Sequence, residues 1–365
     1  MNPLIISGLL VTLLILLKIA QSSLHRKRLN NIPHRILVNG SRGKTDVTRL
    51  IAAGLRRNGN RVMARTTGVH PTWIDFEGEP HRQTRRVPAR IDELIQFIAA
   101  AARAKADAVV VECMALNPFL QEITQEKLIR SQVGVITNVR LDHLDVMGKT
   151  KGTIAESLAL TIPKGGILFT SETTCLSQLE KAAASRNCQL VPVHQDELVP
   201  PSALPGTLIL ENVSLAMAVC RHLGVDPEVA LAGMAESLPD EGAFSIVPFM
   251  GEQGELYFAN ALAANDPEST ELLLQKAREA YPDAMLVGLF AHRTDRAWRQ
   301  EVFSSFMTTA PFEKIFRTAH SRDAGEMLTQ LEALPSGSLI FAFGNYKGQG
   351  EKLIQEIEKR CCPRQ

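Results

Sequence analysis

The sequence has almost no net charge, no paired cysteine spacing and no nucleophile signature, and each lack excludes something. Lys plus Arg number 40 against 39 Asp plus Glu, for a formal net charge of +1. So balanced a chain is no general binder of polyanions, nucleic acid included, and any electrostatic attraction must be local. The six cysteines, Cys113, Cys175, Cys188, Cys220, Cys361 and Cys362, contain no Cys-x-x-Cys pair. They read as free, buried thiols in a reducing compartment rather than a zinc site. No Ser-His-Asp or Cys-His signature stands out, so no covalent protein nucleophile is expected. What remains is globular in composition, 45% hydrophobic and 22% charged, and 365 residues suggest two or three domains.

There is one long apolar run. Leu4 to Leu17 carries no charge, Lys18 interrupts it, and Ile19-Ala20 extend it. At about 1.5 Å per residue this barely spans a bilayer, with Lys18 snorkelling at the end. His25-Arg26-Lys27-Arg28 follows and nothing basic precedes, which places the bulk of the protein in the cytoplasm. The rival is a cleaved signal peptide, since Ala20-Gln21-Ser22 is weakly cleavage-like. It lacks a charged n-region, and it would strand a nucleotide site outside the cell. Residues 1–33 therefore read as a single-span anchor with a basic linker that Pro33 ends. Ser7 and Gly8 are small enough for a partner helix to pack closely.

The chain is organised around Val38-Asn39-Gly40-Ser41-Arg42-Gly43-Lys44-Thr45. Ile36-Leu37-Val38 reads as a buried strand, and Asp46 to Asn58 as a helix with Val47, Leu50, Ile51 and Leu55 on one face. Glycines between them let backbone N–H groups turn towards a phosphate, and the helix N-terminus adds a favourable dipole. Lys44 would reach the outer phosphates and Thr45 would hold Mg²⁺. The first glycine of the usual pattern should fall at Val38; it falls at Gly40, so the loop is short.

From residue 36 onward strands and helices alternate. Strands are expected at Arg61 to Ala64, Ala108 to Val111, Val133 to Thr137 and Ile167 to Thr170, and helices at Ile91 to Ala104 and Gly152 to Thr161. This pattern predicts a mostly parallel sheet covered on both faces, an α/β fold, with ligands at the carboxyl ends of strands. Glu112 follows one strand; Thr137-Asn138, leading to Asp142-His143-Leu144-Asp145, follows another. Alone, Glu112 reads as a solvated strand-end carboxylate and His143 as a loop histidine. Together with Lys44 they read as the surroundings of one or two divalent ions beside phosphates. A second, smaller α/β domain is expected over 239–365, after a central domain at 34–238.

These motifs in this order resemble the Mur ligase superfamily. Glu112-Cys113-Met114-Ala115-Leu116-Asn117-Pro118, Asp142 to Gly148, Ala263-Ala264-Asn265-Asp266 and Gly344-Asn345-Tyr346-Lys347-Gly348 narrow the resemblance to ligase subunits of poly-γ-glutamate synthases, the PgsB/CapB type. The resemblance implies ATP and Mg²⁺ or Mn²⁺ as cofactors. It implies glutamate and a poly-γ-glutamate chain as substrates, and small membrane proteins in an oligomeric complex as partners. It assigns Gly40, Ser41, Arg42, Gly43, Lys44 and Thr45 to nucleotide binding with Asn212, Asp295 and Arg296. It assigns Thr45, Glu112 and His143 to metal, and Lys44, His143 and Glu112 to catalysis. Only 17 residues, 21–37, separate the apolar run from the phosphate loop, too few for the domain with which Mur ligases bind nucleotide-linked precursors, so a simpler acceptor is implied.

Several positions depart from that pattern or stay open. Ser245 stands where the superfamily usually has an arginine, and cannot supply a cationic fork. Leu215 replaces the second asparagine of the adenine-side helix. Asn265-Asp266 is either part of the substrate turn or a helix cap. Thr67, Arg82, Arg85 and Arg86 lie in a locally basic stretch that either draws in a polyanionic acceptor or is a solvated loop face. Many Mur ligases hold a second metal with a carbamylated lysine fourteen or fifteen residues after the histidine. That count reaches Ser157 and Leu158 here, and Glu156 is the nearest substitute, or else a surface glutamate.

The chemistry these parts imply is activation of a carboxylate by ATP to an acyl phosphate, then displacement of phosphate by an amine. A membrane-tethered P-loop kinase or ATPase would use the same Lys44 and Thr45, a ligase with another acceptor would share the fold, and a non-catalytic scaffold would need neither.

Overall fold

The computed structural model describes residues 3–84, 90–194, 209–240, 242–264, 266–292, 298–318 and 324–360. Two compact units divide it: one of 1–139, 143–204 and 210–238, the other of 140–142, 205–209 and 239–365.

The first unit opens with a helix, α1 (Pro3–Asn30). It then builds β1 (His34–Asn39), α2 (Lys44–Arg57), β2 (Val62–Thr66), β3 (Thr72–Ile74), β4 (Pro80–Arg82), α3 (Glu93–Arg103), β5 (Ala108–Glu112) and α4 (Pro118–Ile123). A π-helical turn, Thr124–Ile129, follows, then β6 (Val133–Ile136), α5 (Lys151–Ala159), β7 (Ile167–Thr170), α6 (Leu176–Ser185), β8 (Gln189–Pro192), α7 (Leu210–His222) and α8 (Pro227–Ala235). Its sheet has the order β4-β3-β2-β5-β1-β6-β7-β8. β2, β5, β1, β6, β7 and β8 run parallel, and β3 and β4 are antiparallel additions at one edge.

The central strands are apolar along their length because helices cover both faces. Ile36, Val38, Val109, Val110 and Val111 are all fully buried. With neighbours β5 and β6 on either side, β1 delivers its carboxyl end, and the loop after it, to the middle of the sheet. That end is where the chain order reverses direction across the sheet, the place where α/β folds bind ligands. The stretch holding Arg82, expected as a loop, is the β3–β4 hairpin instead.

α1 differs from its expected division into span and linker. Residues 4–19 are exposed and apolar, and Leu4–Asn30 is long and apolar enough to cross a membrane. The same helix then runs on through the basic cluster to Asn30. Its end and the residues just after it are core: Leu29 and, beyond the helix, Ile32 pack with Phe97, Ile98 and Ile129, and His25 Nε2 lies 2.9 Å from the Leu128 carbonyl oxygen. Arg35, at the start of β1, donates to the carbonyl oxygens of Leu29 and Ile32 at 2.8 Å and, through Nε, to Ile129 and Arg130 at 3.1 Å. One guanidinium thus satisfies the orphan carbonyls of two helix ends.

The second unit builds β9 (Ser245–Gly251), β10 (Gly254–Asn260), α9 (Pro267–Ala280), β11 (Leu286–Phe290), α10 (Trp298–Val302), α11 (Ser304–Thr309), β12 (Lys314–Arg317), α12 (Ala324–Glu332), β13 (Leu339–Phe343) and α13 (Gln349–Arg360). The sheet order is β12-β11-β13-β10-β9, parallel except for β9. Phe290, Phe303, Phe306, Phe341 and Phe343 fill one side of it.

Candidate active site

Lys44 begins α2, directly after Gly43, whose φ of 81° is left-handed. Gly40 has φ 130°. A Cβ at Gly40 would collide with Thr137 Oγ1, and one at Gly43 with the Asn212 side chain. Glycine is therefore required twice, by conformation and by close neighbours.

The expectation that the loop N–H groups face a phosphate needs correction at two residues. Ser41 N–H donates to the Asn138 carbonyl at 2.9 Å, and Arg42 N–H donates to Asn138 Oδ1 at 3.1 Å. Thr137 Oγ1 donates to the Arg42 carbonyl at 2.5 Å. The end of β6 thus straps the outer side of the loop. Gly43, Lys44 and Thr45 stand at the start of α2, where a helix N-terminus favours an anion. The Lys44 ammonium reaches back over the loop, 2.7 Å from the Gly40 carbonyl oxygen and 3.1 Å from that of Ser41.

Two other strand ends meet α2 at Glu112. This carboxylate is 3% exposed, and its Oε2 accepts the Thr45 hydroxyl at 3.0 Å and the Thr67 backbone N–H at 2.6 Å. Thr45, Glu112 and Thr67 are therefore together, from α2, β5 and the residue after β2. Thr67 contributes its backbone, which has no signature in sequence. A hydroxyl and a carboxylate oxygen are the donors a hard divalent cation prefers, so this pair fits one.

His143 lies in the turn after β6 with φ 49°, its carbonyl accepting from Val146 and Met147 N–H. A buried carboxylate without any sequence signal organises the start of this loop. Glu172, after β7, accepts from Val139 N–H at 2.6 Å and Cys175 N–H at 2.8 Å.

Of the two readings of Glu156, the exposure of its side chain matches the surface glutamate. It sits on the exposed face of α5, while the neighbouring Ser157 is buried and accepts from Gln121 Nε2 at 2.9 Å. Successive helical residues differ by about 100°, so one residue of offset decides the direction. Among the described residues no group of three or more His, Cys, Asp or Glu could hold a metal. Three candidates therefore do not gather: Glu112, His143 and Glu156.

The remaining candidates divide. Asn212, expected beside adenine, packs on Gly43 and donates to Asp46 at 3.2 Å. Asp266 is the cap of α9, accepting from the Ser269 N–H at 2.8 Å and hydroxyl at 2.6 Å. Ser245 opens β9 opposite Asn260. Arg82 lies on exposed β4 against the His70 ring, 2.7 Å from its Nδ1. Arg85, Arg86, Asn265, Asp295 and Arg296 lie outside the described residues. Burial pushes the Cys113 thiol, next to Glu112, up to about 11, so it is no thiolate nucleophile.

Two family models match the chain. Residues 38–198 match the Mur ligase middle domain, and 246–360 the C-terminal domain of the poly-γ-glutamate synthase CapB. The capsule biosynthesis protein CapB of Bacillus anthracis is 31% identical over 382 residues, covering 96% of this chain and 82% of that protein. The chain belongs to the CapB family. PGA synthase CapB of Bacillus subtilis is 29% identical, with 95% of each covered. Among solved structures, a bifunctional folylpolyglutamate synthase/dihydrofolate synthase from Yersinia pestis, complexed with AMPPNP and Mn, has a TM-score of 0.67 at 15% identity. It covers 92% of both chains. This CapB relative thus has the Mur ligase fold and is an ATP-dependent, amide-forming ligase.

Proposed function

We propose that this chain makes γ-glutamyl bonds by activating a glutamate carboxylate as an acyl phosphate and passing it to the amine of another glutamate or a growing chain. The observation that carries this reading is the convergence of Lys44, Thr45, Glu112 and Thr67 N–H at the carboxyl ends of β1, β5 and β2. Glutamate-directed relatives support it: a folylpolyglutamate synthase was solved with Mn, AMPPNP and L-glutamate.

Lys44 neutralises charge on the transferred phosphoryl group, and the N-terminus of α2 binds the phosphates. Thr45 and Glu112 would hold a divalent cation, Mg²⁺ or Mn²⁺, which when bound would spread the developing charge on phosphate oxygens. Glu112 is kept in place by the Thr67 N–H. His143, in the turn after β6, is assigned to catalysis and metal by the resemblance alone. Gly40, Ser41, Arg42 and Gly43 shape the loop, and Asn212 locks it at Gly43. Asp295 and Arg296, in the domain expected at 239–365, are assigned to nucleotide binding, alongside the ATP-binding domain expected at 34–238, by the resemblance alone. Thr67, Arg82, Arg85 and Arg86, from the basic stretch, and separately Asn265 and Asp266 remain the residues assigned to the acceptor. No protein nucleophile takes part: the carboxylate oxygen attacks the γ-phosphorus, ADP leaves, and the amine then expels phosphate.

Residues 4–20 anchor the enzyme in the membrane with its catalytic domains in the cytoplasm, beside membrane-protein partners. The test is ADP release from the full-length chain in membranes with ATP and Mg²⁺. Release that needs added glutamate supports the ligase; equal release without it supports the tethered ATPase.

A further inference from the structure

The strap that holds the phosphate loop is itself held by residues outside the loop. Asn138 presents its side-chain oxygen to the Arg42 N–H at 3.1 Å. An amide side chain is nearly symmetric in shape, and rotated by half a turn it would put its NH₂ against that N–H, donor facing donor. What selects the observed orientation is the surroundings of Nδ2. Both of its neighbours are acceptors: the Arg42 carbonyl oxygen at 3.3 Å and Glu211 Oε1 at 3.4 Å.

Glu211 is fixed in turn. It stands in the first turn of α7, and its Oε1 lies 2.7 Å from the Ser171 hydroxyl. That hydroxyl is also 2.7 Å from the Thr137 carbonyl oxygen, so one proton serves two acceptors and ties α7 to the end of β6. The next residue, Asn212, packs on Gly43. The N-terminus of α7 therefore reaches the phosphate loop twice, directly at Gly43 and through Asn138 at Ser41 and Arg42. A shortened loop has fewer contacts of its own with which to keep its shape.

We propose that Glu211 and Ser171 are positioning residues for the phosphate loop: the Glu211 carboxylate orients the Asn138 amide, and that orientation sets the loop for nucleotide. This rests on the reading of Gly40–Thr45 as the nucleotide site. The polarity of the contact makes a reversal possible. Asn138→Asp sets two carboxylates against each other. Adding Glu211→Gln replaces one of them with a donor and restores a hydrogen bond of opposite sense, while the carboxylate introduced by Asn138→Asp still accepts from the Arg42 N–H.

The test measures equilibrium binding of fluorescent ADP with Mg²⁺ to the full-length chain in detergent, with thermal melting of each variant. Asn138→Asp should weaken binding tenfold or more, and Ser171→Ala about threefold. Asn138→Asp/Glu211→Gln should recover at least threefold of that loss, short of the parent because the Arg42 carbonyl oxygen still faces a carboxylate oxygen. A general loss of stability would not produce that rescue. Wild-type binding by Asn138→Asp, or a double variant no tighter than Asn138→Asp, overturns the proposal. If Asn138→Asp does not fold, unchanged binding by Ser171→Ala overturns it instead. Lys44→Ala separates the two layers. If it weakens ADP binding while Asn138→Asp does not, the strap alone fails. If the parent binds no ADP, or Lys44→Ala binds as tightly as the parent, the nucleotide site itself fails and the strap with it.

Discussion

Thr45 on α2 donates its hydroxyl to the Glu112 carboxylate of β5 at 3.0 Å, joining the helix that follows the phosphate loop to the neighbouring strand end. The same carboxylate oxygen accepts from Thr67 N–H. Three segments far apart in sequence are thereby fixed around one buried charge, and the first two predictions follow from its place next to Lys44.

Lys44→Ala should leave the fold intact and abolish turnover. A phosphate-neutralising charge contributes several kcal/mol to the transition state, on the order of a thousandfold in rate. ADP release at the parent rate would remove Lys44 from the mechanism.

Glu112→Gln should raise the Mg²⁺ concentration for half-maximal activity, on the order of tenfold, because a charged oxygen donor becomes neutral. Glu156→Gln should leave the Mg²⁺ profile unchanged, since Glu156 lies on the exposed face of α5. A shift with Glu156→Gln and none with Glu112→Gln would reverse the assignment.

Gly43→Ala should cost on the order of 1–3 kcal/mol, because a non-glycine residue is forced to a left-handed conformation against Asn212. Thermal melting measures this. The expected signature is a lower melting temperature together with weaker nucleotide binding.

Much of this arrangement is legible in the sequence. β1, β5 and β7 are short apolar runs buried on both faces, and such runs announce themselves. Lys44, Thr45 and Glu112 stand where linear motifs put them, next to those runs. The β3–β4 hairpin is not legible, because Thr72–Ile74 and Pro80–Arg82 are three residues each, too short for a period to show. The Thr67 N–H and the two N–H groups strapped by Asn138 escape a sequence reading because backbone donors carry no residue code. The count along the chain reaches Ser157 and Leu158, and it cannot show which way Glu156 points, since a helix turns each added residue about 100° away.

The end of α1 carries the fourth prediction. Leu29 is 1% exposed and packs in the core of the first unit, whereas Leu24, earlier in the same helix, is 48% exposed. Leu29→Ala should destabilise the protein by about 2–5 kcal/mol, the usual range for a buried leucine. Leu24→Ala should change stability little. Equal melting temperatures for both variants would return the last turns of α1 to the status of a linker.

The central claim is that a carboxylate attacks ATP before the amide forms. Glutamate labelled with ¹⁸O in its carboxylates, supplied with ATP and Mg²⁺ to the membrane-embedded enzyme, tests it directly by mass analysis of the released phosphate. The account predicts that phosphate carries one ¹⁸O for each bond made, because the attacking oxygen leaves with it. Phosphate without label, alongside continued ADP release, would mean that water takes the phosphoryl group and would contradict the account.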